Sequence, residues 1–504
     1  MRLQVLRAAA LAVVTCAGLV AVGEAPAAAA APSVTLSALS GVPTGTVTVS
    51  GAGFGAHETV DIYFDTTDEA LASTNGSGAF SGITIGIPAP ATPGIHYITA
   101  DGRHSGLSAQ AQFVVSTNWA QYRYSVLHKG YNPYENVLSA SDVSGIDLDW
   151  SYSTGKSIQS SPAVTTTVTR NASGAVASET VYIGSFNDNV YALNAATGTQ
   201  KWSVNTGGAV ESSPAVVGGV VYVGSDSGSL YALTASTGAQ KWTFSTDGSP
   251  ITSPAVANGV VYINASDGNV YALNASTAAE LWSFSSDSFT GSSPAVANGR
   301  VYVGAGNGNV YALNATTGDE KWTFTAAESA FSSPAVANGR VYIGSTNDNV
   351  YALNATTGAQ LWSYTTGASI DSSPAVANGV VYIGSTDGNV YALNAFTGAE
   401  LWSFATGSIE DSSPAVANGV VYIGSQNDNV YALNASTGAE LWSYTTGGDV
   451  LSSPAVANGV VFIGSTDGNV YSFDLAGGDA TVSRPAPGGL HPNYALRPQN
   501  GKRS

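Results

Sequence analysis

The chain has 504 residues, a tenth of them charged, with 34 acidic against 16 basic side chains and a formal net charge of −18. Cations this sparse form no basic stripe, which excludes a nucleic-acid backbone as partner. Gly, Ser, Thr, Ala and Val dominate, a composition that suits short strands and tight turns and predicts an all-β protein.

Arg2 and Arg7 flank the start of an apolar run over 8–22, and small residues follow over 27–31. This is the pattern of a secretory signal over 1–31, so the protein is expected outside the cell. Cys16 lies inside the apolar run and not after it, which argues against a lipid anchor. Once the signal is removed no cysteine remains, excluding disulfides, thiolate metal sites, cysteine nucleophiles and covalently attached haem. No later stretch is long and apolar enough to span a bilayer.

Over 32–116, runs such as Thr46-Val47-Thr48-Val49, Val60-Asp61-Ile62-Tyr63-Phe64 and Gln112-Phe113-Val114-Val115 alternate between Gly, Pro and Asn turns. Such spacing predicts a small β-sandwich. The stretch Val47-Thr48-Val49-Ser50-Gly51-Ala52-Gly53-Phe54, with Pro93-Gly94-Ile95-His96 downstream, resembles bacterial immunoglobulin-like modules, which implies a spacer or attachment unit. Residues 117–148 read as an irregular lead-in, and the basic, Pro- and Gly-rich residues 481–504 as a solvated tail.

Between them, over 149–480, one unit recurs every 40 residues: Ser-Pro-Ala-Val, then Val-Tyr-Ile-Gly, then Asn-Val-Tyr-Ala-Leu, then a run holding Trp. Four antiparallel strands in such a unit make one blade of a β-propeller, with Asp-Gly or Asn-Asp turns between the second and third strands. Proline landmarks from Pro162 to Pro454 mark eight inner strands. The tryptophans Trp202, Trp242, Trp282, Trp322, Trp362, Trp402 and Trp442 number one fewer. Trp150 stands twelve residues before Pro162, the offset that separates Trp202 from Pro214. Residues 149–153 are therefore expected to pair beside Tyr471 and complete an eighth blade, closing the ring.

The string Ala-Leu-Asn-Ala-x-Thr-Gly-x-x-x-Trp, as over 352–362, resembles the tryptophan-docking motif of quinoprotein-type propellers. That family includes dehydrogenases dependent on pyrroloquinoline quinone (PQQ) and an outer-membrane assembly lipoprotein. The resemblance covers about 119–479 and implies the fold, with the eight tryptophans as structural docking residues. Two positions depart from it: Asn194, Asn274 and Asn354 stand where the family commonly has Asp, and Ala278 replaces the motif glycine. The dehydrogenase branch implies a cysteine pair, a bound calcium or lanthanide and a catalytic Asp. The cysteine pair is missing and the single array insertion, 165–176, is too small to cap a quinone, so no cofactor and no catalytic residue are expected, with PQQ and calcium as the lesser reading. The array holds no histidine, which excludes a Ser/His/Asp triad. Asp267, Asp387 and Asp467 are expected to serve hairpin turns and not calcium. The sequons at Asn274 and Asn314 fall within the docking motif, which favours a structural role.

Variation between units is concentrated just before Ser-Ser-Pro: Gln159, Glu211, Ile251, Gly291, Phe331, Asp371, Asp411 and Leu451. Strand alternation puts this loop and the second-to-third hairpin on one face, around the channel mouth. Gln159, Glu211, Phe331, Asp371, Glu410, Asp411 and Asp449 are thus the candidate ligand face, part of it acidic. The expected function is that of a secreted, monomeric, non-catalytic binding or scaffold protein with a protein or glycan partner. The alternatives are a PQQ-dependent alcohol or sugar dehydrogenase and a carbohydrate or cell-wall binder, for which Phe186, Phe289, Phe331 and Phe396 are the aromatics that break the repeat.

Overall fold

The computed structural model describes residues 31–475 apart from 172–173, 289–290 and 410. The signal segment up to residue 30, the tail 481–504, Phe289 and Glu410 lie outside the described residues. Apart from one short 3₁₀ turn, Val143–Gly145, the described elements are strands. No described helix is long and apolar enough to cross a membrane.

The N-terminal runs form two sheets, one of three strands (Ser33–Leu36, Thr46–Ala52, Phe80–Gly86) and one of five. Their alternating residues bury Val49, Val60, Ile62, Phe64, Ile98 and Phe113 in a core of their own.

The repeats form eight further sheets. In the fifth, the strands are Ala335–Ala337, Arg340–Gly344, Asn349–Asn354 and Gln360–Thr365. Asn338 and Gly339 link the first two with φ of 50° and 74°, the paired positive angles of a tight hairpin that Asn and Gly adopt at least cost. The second strand is buried on both faces, Val341, Tyr342 and Ile343 alike, because each sheet is stacked between two others. Gly344 ends that strand where a Cβ would stand 2.3 Å from Ile370 Cγ2.

The docking motif joins neighbouring sheets. Trp202 Nε1 donates to Ala235 O at 2.9 Å, and the same 33-residue step repeats from Trp242, Trp282, Trp322, Trp362 and Trp402. The second-strand tyrosine of the same blade donates to that carbonyl too, as Tyr302 and Trp322 both do to Ala355 O. Asn in place of Asp keeps the turn: Asn354 Oδ1 accepts from the N–H groups of Thr356 and Thr357. Ala278 also keeps it, at φ 63°, a conformation that costs an L-residue roughly 1–2 kcal/mol.

Trp150 takes the expected place. Ile146–Ser153 pairs antiparallel with Asn469–Leu475, so the eighth sheet is built from both ends of the array. Trp150 Nε1 donates to Ala195 O at 2.8 Å, tying that sheet to the first. The insertion within the first sheet is a lengthened hairpin, Ala163–Asn171 against Gly174–Gly184. It reaches the sandwich, where the Ala175 N–H donates to Gln112 Oε1.

Candidate functional site

Each inner strand begins with a serine before its proline, and these serines close a ring. The Ser161 N–H donates to Ser213 Oγ at 2.9 Å, and the step repeats blade by blade until Ser453 N–H donates to Ser161 Oγ at 3.0 Å. Above this throat stand the eight residues that vary between blades, and together they line a cavity of about 570 Å³. The structure thus brings together Gln159, Glu211, Phe331, Asp371 and Asp411, and adds Asp226 from a second-to-third hairpin.

Around the ring the lining is uneven. Ile251, Gly291 and Phe331 come from blades three to five, Asp371 and Asp411 from six and seven, and Glu211 from blade two. No Lys or Arg lines the cavity. Burial raises the Glu211 carboxyl above its ordinary pKa, and the charges of Asp226 and Asp411 push it further the same way. Asp226 is raised likewise, by burial and by Asp188. A cation arriving here relieves that repulsion.

Asp449 is not part of this lining. Its main-chain carbonyl accepts from Thr466 N–H at 2.9 Å, which holds its loop beside the eighth-blade hairpin. Two of the aromatics that break the repeat lie apart. Phe331 lines the mouth, whereas Phe396 sits in a docking-motif turn beneath the Arg340 guanidinium, 4.8 Å from the ring centre.

The floor of the cavity is Tyr122, a residue of the lead-in. Residues 119–132 wind inside the ring and meet every blade. Trp119 and Val164 exchange two main-chain bonds; Val216, Val296, Val336, Val376 and Val416 donate their N–H groups to Ala120, Val126, Leu127, Lys129 and Gly130. Val256 N–H donates to Gln121 Oε1 at 3.0 Å, and Asn132 Nδ2 donates to Val456 O at 2.9 Å. Arg123, Tyr124, His128 and Gly130 take positive φ to make the coil.

The channel is therefore plugged. Arg123 is buried, donating to His128 O and Pro414 O; burial lowers its pKa to about 10, against the opposing influence of Tyr122. Burial and then the Arg123 charge lower the His128 imidazole to about 3, partly offset by a hydrogen bond with Pro334. His128 is thus neutral in the folded chain and must gain a proton as the chain unfolds in acid. Its contribution to stability is full above pH 6.5 and is lost as pH falls toward about 3. His128→Asn, which keeps a side chain tolerant of φ 50°, is expected to flatten that part of the melting-temperature profile; an unchanged acid slope would show that other groups set it.

Sequence reading missed this segment, since a connector with no period carries no pattern to extend. The available signal was chemical, in an aromatic- and cation-rich stretch, Tyr122-Arg123-Tyr124, within a chain otherwise poor in cations.

The hairpin aspartates serve their turns. Asp387 accepts from Asn389 N–H, Tyr391 Oη and Gly367 N–H, and Asp467 from the equivalent three groups. Among the described residues no group of three or more His, Cys, Asp or Glu side chains could hold a metal ion. The charged residues that line the mouth are all carboxylates.

Two family models match the chain. One, described as outer membrane protein assembly factor BamB, matches residues 186–289, 279–408 and 386–488. The other, described as the β-propeller domain of glucose/ethanol/alcohol dehydrogenases, matches 119–211. No curated protein matches. Among solved structures, the quinohemoprotein alcohol dehydrogenase from Comamonas testosteroni is similar at 16% identity and TM-score 0.60, over 71% of this chain and 80% of that one. BamB from Moraxella catarrhalis is similar at 21% identity and TM-score 0.53, over 65% of this chain and 99% of that one. A europium-containing methanol dehydrogenase is similar at 14% identity and TM-score 0.59, over 71% and 98%. At these identities the likeness is one of fold.

Proposed function

The chain belongs to the PQQ-like β-propeller repeat family, and from that premise we propose that it is an exported, non-catalytic binding protein whose acidic mouth takes a basic segment of a protein partner. The observation that carries this reading is the blind cup itself: Glu211, Asp226, Asp371 and Asp411 around one rim, no cation in the lining, and Tyr122 closing the floor. A lysine or arginine side chain entering from the open face meets carboxylates on one side and Phe331 on the other, a pairing of charge and aromatic surface that favours cations.

The quinone-dependent reading has weaker support here. Dehydrogenases share the fold, but the carboxylates that favour a cation at this mouth disfavour an anionic cofactor. PQQ with calcium is accordingly expected to leave no bound chromophore and no dye-linked alcohol oxidation.

Lysine-rich peptides are the probe. Asp371→Ala combined with Asp411→Ala is expected to weaken binding of oligolysine at least about tenfold, and added salt to weaken the parent complex. Equal affinity of parent and double variant in a calorimetric titration would place the site elsewhere.

A further inference from the structure

A second cavity lies where the sandwich meets the propeller, and its chemistry differs from that of the mouth. It has a volume of about 690 Å³ and is walled mainly by apolar side chains: Ile95 and Val115 from the sandwich, Val137 from the lead-in, and Val176, Val460 and Leu475 from the propeller. Val176 is 42% exposed, which is unusual for a valine in the middle of a strand and follows from its place on the open side of the lengthened hairpin. The polar residues of the wall include Glu179, Asp474 and Asn458, and the Asn458 side chain hydrogen-bonds the Glu179 carboxylate.

Among the described residues no cation lines this cleft. The neighbouring ammonium, Lys201 Nζ, is held behind the wall by Ser178 Oγ, Glu179 O and Thr180 Oγ1 at 2.6–3.1 Å and is not itself part of the lining. Burial raises the Glu179 carboxyl to about 7, more than Asn458 and Lys201 draw it down, with Glu135 adding to the rise. Asn458 and Lys201 thus compensate its charged form only in part. Cavities of this size at domain junctions, apolar with a few convergent polar groups, are the usual form of small-molecule sites.

We propose that this cleft binds a small hydrophobic amine, its ammonium seated on Glu179 and its hydrocarbon body between the sandwich and the propeller. The ammonium gives the half-buried carboxylate a second counter-charge on the cleft side, opposite Lys201, and a charge-assisted hydrogen bond of this kind is stronger than a neutral one. A carboxylic acid of the same shape meets repulsion there, and an alcohol lacks the charge.

Phenethylamine, 2-phenylethanol and phenylacetate share a body and differ in the head group, so calorimetric titration of the full chain with each separates these cases. The amine is expected to bind saturably, with the alcohol and the acid at least about tenfold weaker. Glu179→Gln should remove that preference for the amine. Ala177→Trp, at an exposed position of the cleft wall, should abolish binding of all three by filling the space. The double variant Asp371→Ala with Asp411→Ala should bind the amine as the parent does, which distinguishes this cleft from the mouth. Equal affinities for the three compounds, tightest binding of the acid, an unaltered preference in Glu179→Gln, or no binding of the amine would each overturn the proposal.

Discussion

Replacing residues 120–132 by a Gly/Ser linker of equal length is expected to lower the melting temperature by more than about 10 °C. Seven of the eight inner strands, from Val216 through to Val456, bond to this segment: two through the side chains of Gln121 and Asn132, which the linker lacks, and five through main-chain carbonyls, which a flexible Gly/Ser chain does not hold in place. At a net of roughly 1 kcal/mol per bond this amounts to about 7 kcal/mol, comparable with the whole stability of an ordinary domain. The linker keeps the sandwich and the closing strand attached, so the loss reports on the plug alone. Circular dichroism melts supply the measurement, and a synthetic peptide spanning 117–138 is expected to recover part of the loss in trans. A variant melting within about 2 °C of the parent would show that the ring holds itself and the plug is only its filling.

Trp150→Ala is the second large effect. The indole donates to Ala195 O at 2.8 Å, packs on Phe462 with ring centres 6.0 Å apart, and covers Gly198, where a Cβ would stand 2.6 Å from the ring. Losing a packed tryptophan and its hydrogen bond costs on the order of 3 kcal/mol, here at the one joint made by strands from both ends of the array. Melting is expected several degrees lower, with earlier proteolysis near residues 146–153. If neither changes, the closing strand contributes pairing without anchoring.

How much could be read in advance differs from one part of the chain to another. The ring and its closure were legible because Trp150 keeps the twelve-residue offset to Pro162, and a periodic pattern can be extended to its missing member. Most of the mouth was legible for the opposite reason: Glu211, Phe331, Asp371 and Asp411 stand out where near-identical units differ. Asp449 stands outside the lining of the cavity, because sequence distance from Pro454 does not say which side of a loop faces inward. The plug and the cleft were not legible. Arg123, His128 and Asn132 are bonded to partners hundreds of residues away, and Glu179 acquires its surroundings only when a separate sandwich is laid against the ring.

Two joints in the ring are made differently from the rest: between the eighth blade and the first, Ala195 O accepts from Trp150 alone, since Phe462 stands in the tyrosine position. Where six blades present an alanine carbonyl that accepts from both a tryptophan and a tyrosine of the blade before, the last blade runs out as Asp474-Leu475. Tyr422 Oη is buried with no hydrogen-bond partner among the described residues, and Trp442 packs against Phe473 and Tyr444. Of the two, the seventh-to-eighth joint keeps neither bond among the described residues and is the built-in parting line of the circle. Heat, proteolysis or a pull on the C-terminal end would open the molecule between its seventh and eighth blades, and the last blade would come away still fastened to the first through Trp150.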